Sequence, residues 1–235
     1  MDTMNSRDAM PGLGRYAIAE RSFLSRVFGW MGFGLLLTAL VAWYVGTPER
    51  FAAIFGASRA VIWIAFIGQL VLVFAIGGAV KRLNASLAST LFVAYSALMG
   101  LTLSGIFLMY TQASIFQTFL ASGVTFGCAA AYGALTKKDL SSFGNILFML
   151  LIGVIVTSLV NLLLKSTAVT WLTSFVGLFV FTGLAAVDMQ KLKAYHQSAS
   201  DGGDRDKALA VGGALTLYLD FINIFLFMLR LMGGR

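Results

Sequence analysis

The chain has 235 residues, 59% of them hydrophobic and only 11% charged, with a formal net charge of +7 and a mean hydropathy of +0.86. A soluble domain is roughly a quarter charged, so these proportions exclude one and require an integral membrane protein. The single cysteine, Cys128, rules out an intrachain disulfide and a cysteine-type zinc site, and His196 is equally alone.

Residues 1–26 carry Arg7, Arg15, Arg21 and Arg26 among acids and small polar residues, without the apolar core of a cleavable signal, and read as a cytoplasmic tail. The remainder, 27–235, reads as a single transmembrane domain, because apolar runs of spanning length recur with nothing left over for a soluble unit. Seven spans are expected near 27–46, 60–80, 87–110, 114–135, 144–164, 169–191 and 208–232. The fold class is therefore an all-α membrane protein, a seven-helix bundle. Pro11 and Pro48 lie outside these spans, so no span should carry a proline kink, and the short connections favour antiparallel neighbours.

Lys and Arg are distributed twelve to five in favour of the side that holds the tail, which puts the N-terminus in the cytoplasm and the C-terminus outside. This bias explains an isoelectric point near 9.8 without any nucleic-acid partner. Trp43, Tyr44, Trp63 and Trp171 fall near the outer ends of their spans, as interfacial aromatics do. Gly29, Gly32 and Gly34, the Gly123/Gly127 pair at GxxxG spacing, and Ala129 to Ala131 with Gly133 are expected to let helices approach closely. Gln69, Ser96, Ser104, Ser158 and Asn161 are polar within spans and are expected to cap or bridge helices.

The last span holds a carboxylate at its centre. Asp220 lies about 18 Å from either end of the 208–232 stretch, where an acid costs about 2.5 kcal/mol or more and commonly faces a bundle interior, water or an ion path. Thr216 and Gly213 on one side of it, Asn223 and Phe227 on the other, form a narrow polar and small-residue stripe that should face protein. The alternative is a hydrogen-bonded packing residue. A second acid, Asp188, closes the sixth span, and the short turn between the last two helices makes the two acids neighbours. If they approach in a poorly solvated interior, repulsion and desolvation favour a shared proton and create a pH switch. The competing reading leaves Asp188 solvated at the interface, beside Lys191. The second span ends on the same side at Lys81 and Arg82, so a cation can reach the pair.

The motifs Gly213-Ala-Leu-Thr-Leu-Tyr-Leu-Asp220-Phe-Ile-Asn-Ile-Phe, Val187-Asp188-Met-Gln-Lys-Leu and Lys137-Lys-Asp-Leu-Ser-Ser-Phe-Gly144 resemble the bacterial, inner-membrane branch of the Bax inhibitor-1 (transmembrane Bax inhibitor motif) family. The resemblance runs from about Tyr16 to the end of the chain. It implies seven helices with the last surrounded by the other six, a paired-aspartate pH sensor and a pH-sensitive Ca²⁺ leak. The pair falls on Asp188 and Asp220, and the basic partner on Arg82, with Lys81 beside it. Met189 stands where a threonine is expected, and Gln69 where some members carry an acid.

The leading expectation is thus a cation leak of the inner membrane, with Ca²⁺ as the expected ion, held transiently by Asp188 and Asp220 beside Thr216 and Asn223. No resident cofactor or firm metal site is expected. The rival is a non-conducting regulator that binds a membrane protease, channel or stress-response protein. An enzyme is not expected. An intramembrane aspartyl protease needs glycines where Leu217 and Leu219 stand, and a retinal protein needs a lysine that the last span lacks.

Overall fold

In the computed structural model, residues 10–56, 58, 60–197 and 203–234 are described. Among them run nine helices and no strand: α1 Met10–Val45, α2 Pro48–Phe55, α3 Ala60–Lys81, α4 Ala85–Leu103, α5 Ile106–Met109, α6 Gln112–Leu135, α7 Ser141–Leu164, α8 Thr167–Gln197 and α9 Asp204–Met232. Seven segments are long and apolar enough to cross a membrane, with α5 extending the α4 segment to Met109. The expected spans match these in number and order, and the observed ones are longer. Phe23 and Val27, on either side of residue 26, are both in the core.

Local sequence sets several helix ends. Asn84 caps α4 by accepting the Leu87 amide at 2.9 Å, and Thr111 caps α6 by accepting the Ser114 amide at 3.2 Å. Helix α2 was not expected, although Pro48 in its first turn, followed by Glu49, is a helix-start pattern legible in the sequence. Pro11 lies in the first turn of α1.

The last helix is the axis of the bundle. It packs against α1, α3, α4, α6 and α8, and 67% of its most apolar window is buried, against 11% for α7. Helix α7 is peripheral and packs chiefly on α8. The implied arrangement, six helices around the last, holds here for five. A buried polar knot ties three of them together: Thr38 of α1 donates to the Ser96 carbonyl of α4 at 2.8 Å and lies 2.6 Å from the Tyr218 hydroxyl of α9. Gln69 bridges α3 to Thr102 of α4, while Ser96 and Ser104 bond carbonyls of their own helix.

Of the glycines expected at helix contacts, Gly34 lies against Phe92 and Ser96, and Gly133 against the Ala186 backbone of α8. Gly29, Gly32, Gly123 and Gly127 have nothing within 4 Å of a side chain's first carbon, so the GxxxG pair is not a helix contact within this chain. That spacing states only that two glycines share a helix face, and this face points away from the bundle. Trp43, Tyr44, Trp63 and Trp171 are all exposed.

A methyl group on Gly133 would fall on the Ala186 carbonyl oxygen, whereas one on Gly123 meets open space. Gly133→Ala is therefore expected to destabilise the folded protein by about 1–3 kcal/mol, with Gly123→Ala neutral or slightly stabilising, in thermal unfolding in detergent. Equal midpoints for the two variants would contradict the α6–α8 approach.

Candidate functional site

At about 1.5 Å per residue, Asp220 lies about 24 Å from the first residue of α9 and about 18 Å from its last. It is only 4% exposed, and its Oδ2 is buried without a hydrogen-bond partner. The alternative of a hydrogen-bonded packing residue does not fit that atom. The antiparallel register brings the second acid close. Leu192 of α8 covers Gly213 of α9, and Phe227 of α9 covers Gly177 of α8, which sets Ala185 level with Asp220. Asp188 is one turn further toward the α8–α9 connection, about 4.5 Å along the axis.

Both carboxylates line one cavity of about 460 Å³ between α7, α8 and α9. Its polar lining is completed by Ser141, Asn145, Lys191 and Thr216. Ser141, Asn145 and Lys191 are exposed and form the mouth, at the end of the bundle that carries the α6–α7 and α8–α9 connections. Thr216, Leu219 and Asp220 lie deeper, on α9. The cavity occupies the space in which α7 would otherwise pack against α9, which is why α7 is held by α8 instead.

No hydrogen bond joins the two acids. Asp188 is paired with Lys191 at 2.8 Å, one turn along the same helix, and its side chain is 17% exposed. Both readings of Asp188 are thus met in part: it pairs with Lys191 near the mouth, and it also faces the cavity that ends at Asp220. Arg82 is not brought to either acid. It is exposed just past the end of α3, outside the cavity lining, and Lys81 is likewise exposed there. The physical reason is placement: α3 packs on α4 and α9, whereas the cavity opens among α7, α8 and α9. The cation at the pair comes from α8 itself. Thr216 lines the cavity and donates to the Gly212 carbonyl at 3.2 Å. Asn223 donates to the Leu219 carbonyl at 2.8 Å and is not part of the lining, so the stripe separates at Asp220.

The mouth is fixed by side chains that sequence reading did not single out. Gln190 accepts the Leu140 amide and donates to the Lys138 carbonyl, both at 2.8 Å, clamping the α6–α7 turn to α8. Lys193 donates to the Ala134 carbonyl at 2.8 Å and pairs with Glu20 of α1 at 3.3 Å. In the turn, Asp139 accepts the Ser141 amide at 2.9 Å, and hydrogen bonding from Ser141 holds its carboxyl below the usual value. Asp139 therefore stays charged throughout the neutral range and is not the sensor of a change there. Ser141 and Asn145, four residues apart at the start of α7 and ahead of a long apolar run, are the signal that could have located the α7 wall.

The family described as inhibitor of apoptosis-promoting Bax1 matches residues 20–235. The chain belongs to the Bax inhibitor-1 family. Within it, the chain is 45% identical over 216 residues to the Escherichia coli K12 inner membrane protein YbhL, covering 92% of each. It is 40% identical over 215 residues to a protein of Deinococcus radiodurans, covering 92% of this chain and 91% of that one. With a protein of Borreliella burgdorferi it shares 39% identity over 218 residues, 93% of this chain and 94% of the other. In this family member Asp188 and Asp220 line one cavity, with Lys191 paired to Asp188.

Gln190→Ala removes both hydrogen bonds across the mouth and is expected to cost about 1–3 kcal/mol of stability, with faster hydrogen exchange at the Leu140 amide. Undiminished protection of that amide would contradict the clamp.

Proposed function

We propose that the chain is a pH-regulated cation leak of the bacterial inner membrane, with Ca²⁺ as the transported ion and the Asp188–Asp220 pair as its sensor. The observation that carries this reading is a buried carboxylate oxygen without a partner, at the inner end of a cavity whose mouth holds a second carboxylate and its lysine. A charge or a proton reaching Asp220 from that mouth passes Asp188, and two nearby acids favour binding either a proton or a cation between them. Lys191 takes the counter-charge role first given to Arg82. Asp188 is held by Lys191 while both acids line the cavity, so exchange of the lysine for a cation or a proton is a natural switching step.

Two aspartates with one threonine offer far fewer oxygens than the six to eight that Ca²⁺ takes in a tight site. The site suits transient passage, not storage. Among the described residues no group of three or more His, Cys, Asp or Glu side chains is placed to hold a metal. The role is transport and not catalysis. The tail lies in the cytoplasm and the C-terminus outside, following the distribution of basic residues, so the cavity mouth faces the cytoplasm. The name of the E. coli relative supports the inner membrane as the location.

One observation favours the rival, a non-conducting regulator with a membrane-protein partner. Beyond Asp220, α9 is sealed by Phe221, Ile222, Ile224, Phe225 and Met228, all buried, and a leak requires these to part. Reconstitution decides between the two. Purified protein in pure-lipid vesicles is expected to pass Ca²⁺ with a pH dependence that Asp220→Asn and Asp188→Asn each flatten, while Arg82→Gln leaves it intact. Equal flux from all four proteins at every pH would end the proposal, and no flux above empty vesicles would favour the regulator.

A further inference from the structure

At the end of the bundle opposite the aspartate cavity, the α7–α8 turn and the last turn of α9 enclose a second polar cavity of about 470 Å³. Its lining includes Arg230 of α9, Lys165 of the turn, and the side chains of Ser158, Asn161, Thr167 and Thr170. No residue is shared with the aspartate cavity.

The turn is built to hold this shape. Asn161 donates to the Ser166 carbonyl at 3.1 Å and to the Thr170 hydroxyl at 2.8 Å, and its Oδ1 accepts the Ser166 amide at 3.0 Å. Lys165 adopts the left-handed conformation, φ 51°, with its amide on the Asn161 carbonyl at 2.7 Å. That conformation is uncommon for a residue with a side chain, and it closes α7 at the cavity wall. Two cations therefore line one small volume that contains no acidic side chain, and neither is in an ion pair with a described residue. The guanidinium of Arg230 lies 5.5 Å from the Phe227 ring. The hydroxyls of Ser158 and Thr167 make no hydrogen bond with the described residues, whereas that of Thr170 is already committed to the Ser166 carbonyl at 3.0 Å.

Two like charges around a polar hollow repel unless an anion sits between them, and a hollow at the ends of spanning helices lies at headgroup depth. We propose that this cavity binds the phosphate of an anionic phospholipid, with Arg230 and Lys165 supplying charge and Ser158 and Thr167 neutral donors. A guanidinium fits phosphate through paired donors, and each basic side chain near a membrane surface attracts anionic headgroups by about 1 kcal/mol. The acyl chains would run along the outer face of α7, whose Leu159, Leu162 and Leu163 are exposed. Because α9 carries both Arg230 and Asp220, the lipid would also anchor the end of the central helix.

The test titrates the full-length protein in detergent with phosphatidylglycerol, phosphatidylcholine or inorganic phosphate, reading bound species by native mass spectrometry. Phosphatidylglycerol is expected to bind in preference to phosphatidylcholine. Its dissociation constant should rise about 30-fold in Arg230→Gln/Lys165→Gln, from about fivefold per charge. Arg230→Lys should retain most of the affinity, which separates lost binding from lost folding, and Arg50→Gln, a cation outside the cavity, should change nothing. Equal retention by the parent and the double variant would overturn the site. Binding of inorganic phosphate without preference for phosphatidylglycerol would overturn the lipid as its occupant.

Discussion

A helix cannot be buried on nearly every side and also carry a carboxylate without some arrangement for that charge, and α9 does both. Leu217, Tyr218, Ile224 and Leu229 fix its central position through complete or nearly complete burial. Asp220 stands among them, where a charge costs several kcal/mol unless water, a proton or a cation meets it. The arrangement found here is a cavity and not a hydrogen-bond partner. The peripheral position of α7, the polar start of that helix and the clamps at the α6–α7 turn all follow from keeping that space open.

The two ends of the bundle are chemically opposed. At one, acids and Lys191 surround a hollow that reaches the membrane centre. At the other, Arg230 and Lys165 surround one that remains shallow, because the last two turns of α9 are packed by aromatic and aliphatic side chains. The apolar layer after Asp220 separates them. In the proposed leak that layer would have to open, and the helix least committed to the core, α7, is the one whose displacement costs the least buried surface.

Much of this was legible in the sequence. Spanning helices announce themselves by length and apolarity, and their number and order followed directly. The intramembrane acids were found because a charge in such a segment has so few structural explanations. Their basic partner was legible only in the reading that sets Asp188 beside Lys191, while the resemblance pointed to Arg82. Arg82 and Lys191 are both basic residues on the same side of the bundle, and only packing tells which one faces the cavity. Spacing equally could not distinguish Gly133, which meets the Ala186 backbone, from Gly123 and Gly127, which face outward. Sequence periodicity identifies a helix face but not the neighbour it meets. The Gln190 clamp joins residues 50 apart, and the Thr38–Tyr218 contact residues 180 apart, so both lay beyond any local pattern.

The central claim is that Asp220 communicates with solvent through the mouth at Ser141, Asn145 and Lys191 and through no other route in the closed protein. It is tested most directly by replacing Asp220 with cysteine in a Cys128→Ser background and treating oriented vesicles with a membrane-impermeant thiol reagent from each side in turn. Modification is expected only from the side that carries the α6–α7 and α8–α9 connections, and it should slow when Asn145→Trp narrows the mouth. Modification from the opposite side, or from neither, would contradict the account.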